Sequence, residues 1–329
     1  MRALEYVRAA DAAEAVELVS GDPRAAFLAG GTTQLDLMKD GVLNPGLLVD
    51  ITRLPLRGIE PQGEVLQVGA LVTMEELAAD PVLAQRAPVV REALLAGAST
   101  QLRNMATIGG NLLQRPRCRY FRDPAVPRCN KREPGSGCAA VDGTARMHAI
   151  LGVSERCIAV HASDLAVALV ALDAVVQVQG LSGRREVPLT EFYRTAAQSP
   201  ESENVLAHGE LITGVEVPLP PAGTPSGYLK VRDRASYEFA LTSAAVALVV
   251  SGGVIRHARV GLGGVASAPW RARDAERELR DAPATLDTFR RAAARAVEGA
   301  WTVPGTAFKV ELAQRTLVRA LRTVAGVAA

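Results

Sequence analysis

Cys118, Cys129, Cys138 and Cys157 are the only thiols in this 329-residue chain, and all four fall within one 40-residue stretch. The segment carrying the first three, RPRCRYFRDPAVPRCNKREPGSGC, is rich in Pro, Gly and Arg and has neither a helical nor a strand period. It reads as a loop that packs no core, so its thiols read as ligands. Four thiolates suit an iron–sulfur cluster or a structural zinc. Zinc knuckles place paired cysteines roughly two to four residues apart, and bacterial ferredoxin runs are similarly tight. Here ten, eight and eighteen residues separate successive cysteines. That matches neither pattern and fits one centre enclosed by a long loop; free or disulfide-bonded thiols are the remaining reading. His148, His161, His208 and His257 are too dispersed to add a ligand set, and only His161 lies near a cysteine, where a structural role is the simpler reading.

A second chemistry is written in glycines. Leu28-Ala29-Gly30-Gly31-Thr32-Thr33-Gln34-Leu35 follows an apolar run, Ala25 to Ala29, and precedes a helix from about Gln34 to Lys39. Successive backbone N–H groups in such a turn form an anion nest, and a helix start adds its dipole. Ala106-Thr107-Ile108-Gly109-Gly110-Asn111 repeats the logic with a hydroxyl, paired glycines and an amide. Neither turn matches the G-x-G-x-x-G or P-loop patterns. Each alone reads as an ordinary turn; the pair suits a ligand with two phosphates, gripped from both sides. No triad, carboxylate pair or general base stands beside them. Arg115, Arg117, Arg119, Arg122, Arg128, Lys131 and Arg132 surround the cysteines, either as a solvated loop or as a cationic collar around an anionic cluster.

The elements that position these groups alternate between strand and helix over the first 80 residues. Asp11 caps a helix over 11–19, 47–51 is a short strand, and a second helix follows Thr73. Residues 88–98 form a helix ahead of the second glycine turn. Asp164 to Leu172 is helical, with Asp164 read alone as its N-cap, and leads into a strand at Val175, Val176 and Val178. Pro and Gly at 219–226 mark a linker. An α+β segment follows, with helices at about 271–280, 284–298 and 309–323; here Lys230 alone reads as a strand-end surface lysine, and Tyr237 and Phe239 as core aromatics. Boundaries fall near 55 and near 222, and no internal repeat is visible. With 37 basic against 35 acidic residues, the net charge of +2 argues against nucleic acid as the main partner. No run is apolar enough to span a membrane. The N-terminus lacks an export signal, so the expected compartment is the cytoplasm.

LAGGTTQLDLMKDG, QLRNMATIGGNLLQ, SDLAVALVALDA, YLKVRDRASYEFALTSAAVAL and LGGVASAPWRA, in that order, resemble the FAD-binding medium subunits of the molybdenum hydroxylases, the xanthine dehydrogenase and carbon monoxide dehydrogenase family. The resemblance covers nearly the whole chain. The cysteine insertion is similar to that of the FAD subunits of bacterial periplasmic aldehyde oxidoreductases, in which it binds a [4Fe–4S] cluster. The resemblance implies an α+β fold, with a two-part FAD-binding domain of the PCMH/vanillyl-alcohol-oxidase-like type (1–55 and 56–222, the iron–sulfur insertion at about 115–160). A smaller α+β C-terminal domain follows (223–329). It implies that Leu28 to Leu35 hold the FAD pyrophosphate, completed by Thr107, Gly110 and Asn111, with Gln114 nearby. Asp164 would contact the ribityl or phosphate region, Ile212 the isoalloxazine, and Lys230 its polar edge. Cys118, Cys129, Cys138 and Cys157 would ligate the [4Fe–4S] cluster.

The implied function is electron transfer within a heterotrimer. A large subunit would carry a molybdenum cofactor and hydroxylate aldehydes, aromatic ones foremost. A small subunit with two [2Fe–2S] clusters would feed this FAD, which discharges to an external acceptor. Co-export with a signal-bearing partner would place the assembly in the periplasm. Two other readings compete: a stand-alone FAD oxidoreductase, which needs a substrate base, and a zinc-stapled scaffold, which is colourless.

Overall fold

In the computed structural model, which describes residues 3–327, three sheets divide the chain. The first is parallel and three-stranded, with Leu47–Asp50 between Glu5–Arg8 and Ala25–Leu28. Helix Ala12–Gly21 covers it, burying Ala15, Val16 and Val19. As the sequence indicates, Asp11 caps this helix, its carboxylate accepting from Glu14 N at 2.9 Å. The second sheet is antiparallel, in the order Ile59–Gln62, Val65–Gly69, Leu211–Pro218, Val175–Gly180, Gly183–Pro188. The third is also antiparallel: Trp270–Arg271, Val254–Gly263, Thr242–Ser251, Ser226–Val231. Helices Arg273–Leu279, Leu286–Ala296 and Phe308–Ala325 pack on its outer face around Phe289, Leu317 and Leu321.

The helix Asp164–Ala171 is apolar all round after its first residue, and every one of its residues is buried. A helix without a polar face belongs inside. It lies with Pro88–Ala96 in the core between the second and third sheets. The Met74–Ala79 helix opens with a capping box: Glu76 N donates to Thr73 Oγ1 at 3.2 Å, and Thr73 N donates to Glu76 Oε2 at 2.7 Å. At the same helix start, Met74 N donates to Ala106 O at 2.9 Å and so ties the helix to the second glycine turn.

The cysteine stretch departs from expectation. It contains two one-turn helices, Arg119–Arg122 and Ala139–Asp142, and a backbone bridge between Cys129 and Cys138. It also packs a core of its own: Phe121 lies with Leu37, while Ala140, Ala145 and Ile158 gather against Val303. Few apolar residues at irregular spacing carry no period, yet each meets a partner from a distant element. Its cations are not simply solvated. Lys131 is buried, donating to Pro200 O at 2.6 Å and pairing with Glu203 at 2.9 Å, and Arg115 shares that carboxylate. Arg132 donates to the carbonyls of Tyr120, Phe121 and Val126.

Lys309 is fully buried on the Phe308–Ala325 helix, donating to Gly264 O at 2.7 Å. Burial, helped by the charge of Arg146, brings its ammonium down to about 7. An unfolded lysine titrates near ~10.4, so between about pH 7 and 10 the unfolded chain holds a proton that the folded chain lacks. Stability is therefore lowest below the folded value and rises with pH through that window. Urea unfolding at about pH 7 and about pH 9.5 is expected to show this rise, and Lys309→Met to remove it. An equal rise in the variant would assign it to another group.

Candidate cofactor sites

The two glycine turns meet. A Cβ on Gly30 would lie 1.8 Å from Met105 O, so the first turn rests on the backbone that leads into the second. Gly31 takes φ +71°, the left-handed conformation that glycine adopts without a Cβ penalty. Thr107 caps the second turn, its Oγ1 accepting from Gly110 N at 3.2 Å. Asn111 Oδ1 accepts from Ser163 Oγ at 2.5 Å, and Gln114 Nε2 donates to Asn111 O at 3.1 Å.

Two cavities open from this junction and share Thr32, Thr33 and Gly110. One arm, about 190 Å³, runs over Ala29, Gly30, Gly31 and Gln34 towards Phe27, Ile51 and Ile212. The other, about 210 Å³, passes Asn111 and Gln114 towards Asp164, Lys230, Tyr237 and Phe239. Ile212 and Lys230 therefore stand in different arms. Leu28 and Leu35 line neither arm; both pack around Gly31, with Leu35 Cδ1 2.9 Å from where its Cβ would be. The other glycine-turn and amide positions singled out from sequence are brought together.

Three expectations from isolated residues differ in the structure. Asp164 is not the helix cap; Ser163 is, with Ala166 N donating to its Oγ at 3.0 Å. Asp164 begins the helix, and its carboxylate accepts from Tyr228 OH at 2.6 Å and Lys230 Nζ at 2.7 Å. Nor is Lys230 a surface lysine: its side chain is only 5% exposed. The pair is buried at the wall of the second arm, where each charge depends on the other. Tyr228 and Lys230 are two apart on one strand and so share a face, a period-two spacing that points to a joint partner. Tyr237, at 55% exposure, is not a core residue. Ala98 and Tyr237, at φ +53° and +51°, are non-glycine residues in the left-handed region, and both line this arm. Such local strain concentrates at ligand sites.

The four cysteines line one narrow cavity together with Asn130, Lys131 and Arg156. None is in a disulfide. Burial pushes the Cys118 thiol up to about 12 and raises Cys157 as well, and the other thiols add to both shifts. Backbone N–H groups of Phe121 and Tyr120 point at Cys118, and that of Ala159 at Cys157, each favouring the thiolate. His148, discounted from sequence, has Nε2 3.2 Å from Cys118 Sγ and is kept neutral, at about 4, chiefly by burial. His161 packs edge-on against Tyr193. Among the described residues, no three His, Cys, Asp or Glu side chains are placed to hold a single metal ion.

A further, inner cavity of about 150 Å³ lies between the second arm and the thiols. It shares Arg117, Asp164 and Phe239 with the arm and Cys118 with the cysteine cavity. No helix among the described residues is long and apolar enough to cross a membrane.

Comparison with known proteins agrees with this architecture. Residues 2–220 match the family model described as the FAD binding domain in molybdopterin dehydrogenase, and 227–324 match the CO dehydrogenase flavoprotein C-terminal domain. The chain is 47% identical over 324 residues to the aldehyde oxidoreductase FAD-binding subunit PaoB of Escherichia coli, covering 98% of each. It is 28% identical to the carbon monoxide dehydrogenase medium chain of Afipia carboxidovorans, over 84% of this chain and 79% of that one. Carbon monoxide dehydrogenase from Hydrogenophaga pseudoflava is similar in structure, with a TM-score of 0.78 at 27% identity, covering 100% of this chain and 99% of the other. The chain belongs to the FAD-binding medium subunits of the molybdenum hydroxylase family and is an oxidoreductase subunit.

Proposed function

We propose that this chain is the FAD- and [4Fe–4S]-carrying electron-transfer subunit of a heterotrimeric aldehyde-oxidising molybdenum hydroxylase. The carrying observation is the two-armed groove whose arms join at the paired glycine turns. Such a groove suits a long two-ended cofactor, and the cofactor supplies the electron exchange while the protein binds and tunes it. The whole-chain likeness to an aldehyde oxidoreductase subunit supports the substrate class. It also supports the assembly with a molybdenum-bearing large subunit, a small subunit with [2Fe–2S] clusters and an external acceptor.

Gly30, Gly31, Thr32, Thr33 and Gly110 line the junction, which fits a pyrophosphate held by the first turn; the N–H groups of Ile108 to Asn111 are already bonded within the protein. The arm with Asp164, Lys230 and two aromatic residues offers charge and stacking surfaces to the flavin ring. The arm with Phe27 and Ile212 offers an apolar slot to the adenine. Thr107 and Asn111 hold the second turn rigid, and the domain division at about 55 and 222 leaves the junction between the first two parts.

The spread of four thiols around one narrow cavity favours a [4Fe–4S] cluster over zinc. A cluster binds each thiolate to a different iron, so its ligands surround a cavity without converging on one atom. Buried Lys131 beside the thiols offsets the negative charge that such a cluster brings. Purification of the chain from its native host tests this reading. One releasable FAD per chain and two co-purifying subunits are expected. A solitary yellow chain that oxidises a substrate by itself would favour the stand-alone enzyme, and a colourless chain the scaffold.

A further inference from the structure

The cysteine insertion also reaches the groove. Arg117 immediately precedes Cys118, so one backbone carries both a candidate cluster ligand and a guanidinium that lines the second arm and the inner cavity. Its Nη1 donates to Asp36 Oδ2 at 2.7 Å, and Asp36 lies in the first turn of Gln34–Lys39, the helix behind the first glycine turn. Its Cζ sits 5.2 Å from the centre of the Phe239 ring. Asp36 does not belong to Arg117 alone, because Arg122 Nη1 shares the same oxygen at 2.6 Å. The Nε–H of Arg117 is buried and has no hydrogen-bond partner among the described residues.

Leaving that N–H unpaired is costly on a charged group, so the side chain is held here by its other contacts. Arginine keeps its charge when buried, and its fork holds a fixed direction once one edge is pinned. Ion pairing to Asp36 and stacking on Phe239 supply that pinning. We propose that Arg117 is a flavin-tuning residue, placed by the cysteine insertion at the wall of the second arm so that its charge favours the reduced, more electron-rich form of the flavin. This rests on the FAD reading above. It gives the insertion a role at the flavin that does not require the cluster to lie on the electron path.

The test is redox titration of the flavin in the intact complex, followed by its visible absorption, with iron and FAD contents measured alongside. Arg117→Gln is expected to lower the ratio of reduced- to oxidised-flavin affinity about tenfold, a fall of ~30 mV in a two-electron potential, with iron content unchanged. Arg117→Lys keeps the charge and should recover part of the shift. Asp36→Asn removes the counter-charge and should move the potential upward, which decides the matter if Arg117→Gln does not fold. Unchanged potentials in variants that keep their FAD would overturn the proposal. So would loss of FAD at constant potential, which would put the charge on the pyrophosphate. Absence of FAD from the unaltered protein would instead overturn the reading on which the proposal rests.

Discussion

Cys129→Ser and Cys138→Ser are each expected to take the chain from ~4 irons to less than one, with loss of the broad visible absorption of an iron–sulfur cluster. The two cysteines face each other across a short hairpin. Asn130 N donates to Gly137 O at 2.8 Å and Ala139 N to Arg128 O at 2.9 Å, while Asn130 Oδ1 accepts from Gly135 N and Gly137 N, both at 3.0 Å. None of these bonds uses sulfur, so a serine hydroxyl leaves the hairpin its own bonds and removes only the soft ligand. A hydroxyl is a poor substitute because soft thiolates are what iron–sulfur clusters select. Metal binding at such a site is also folding energy, so the variants should be cut faster by protease within 115–160. Full iron content in either variant would remove that residue from the ligand set. One zinc and no iron in the unaltered chain would replace the cluster with a zinc site.

What the sequence disclosed follows from how far apart the partners are. The capped starts at Asp11 and Thr73 are local hydrogen bonds within one turn, and the wholly apolar Asp164–Ala171 helix declares its burial by composition. The glycine turns were visible because close backbone approach demands glycine at Gly30. Lys230 and Asp164 were misread in isolation because what buries each is the other, 66 residues away. His148 was discounted for the same reason: Cys118 is 30 residues from it. The resemblance supplied the cofactor and named the residues; it did not reveal that Ile212 and Lys230 lie in different arms of the groove, which is a matter of topology. The loop around the cysteines looked coreless because its few apolar residues pack outward, onto Leu37 and Val303.

Gly30→Ala is expected to lower FAD affinity by at least two orders of magnitude, ~3 kcal/mol, and to yield chain with little flavin. The obstacle is space, not backbone conformation, since Gly30 is not among the residues of positive φ. The added methyl would meet Met105 O at 1.8 Å and Met105 C at 2.7 Å. That carbonyl cannot swing aside easily, because its neighbours are tied down: Met105 N donates to Leu102 O at 3.0 Å, Ala106 N to Leu102 O at 2.8 Å, and Met74 N to Ala106 O at 2.9 Å. The first turn must therefore move away from the second, which separates Thr32 and Thr33 from Gly110 and opens the junction that the two arms share. Gly31→Ala is the internal comparison. It puts a Cβ into the left-handed region at a cost of roughly 1–2 kcal/mol, but its nearest neighbour is Leu35 Cδ1 at 2.9 Å, the end of a half-exposed side chain that can rotate. Its loss of FAD should be the smaller of the two. Equilibrium dialysis of FAD against the flavin-stripped chain gives both constants. Equal retention by the two variants would mean that the contact between the glycine turns does not shape the cofactor site.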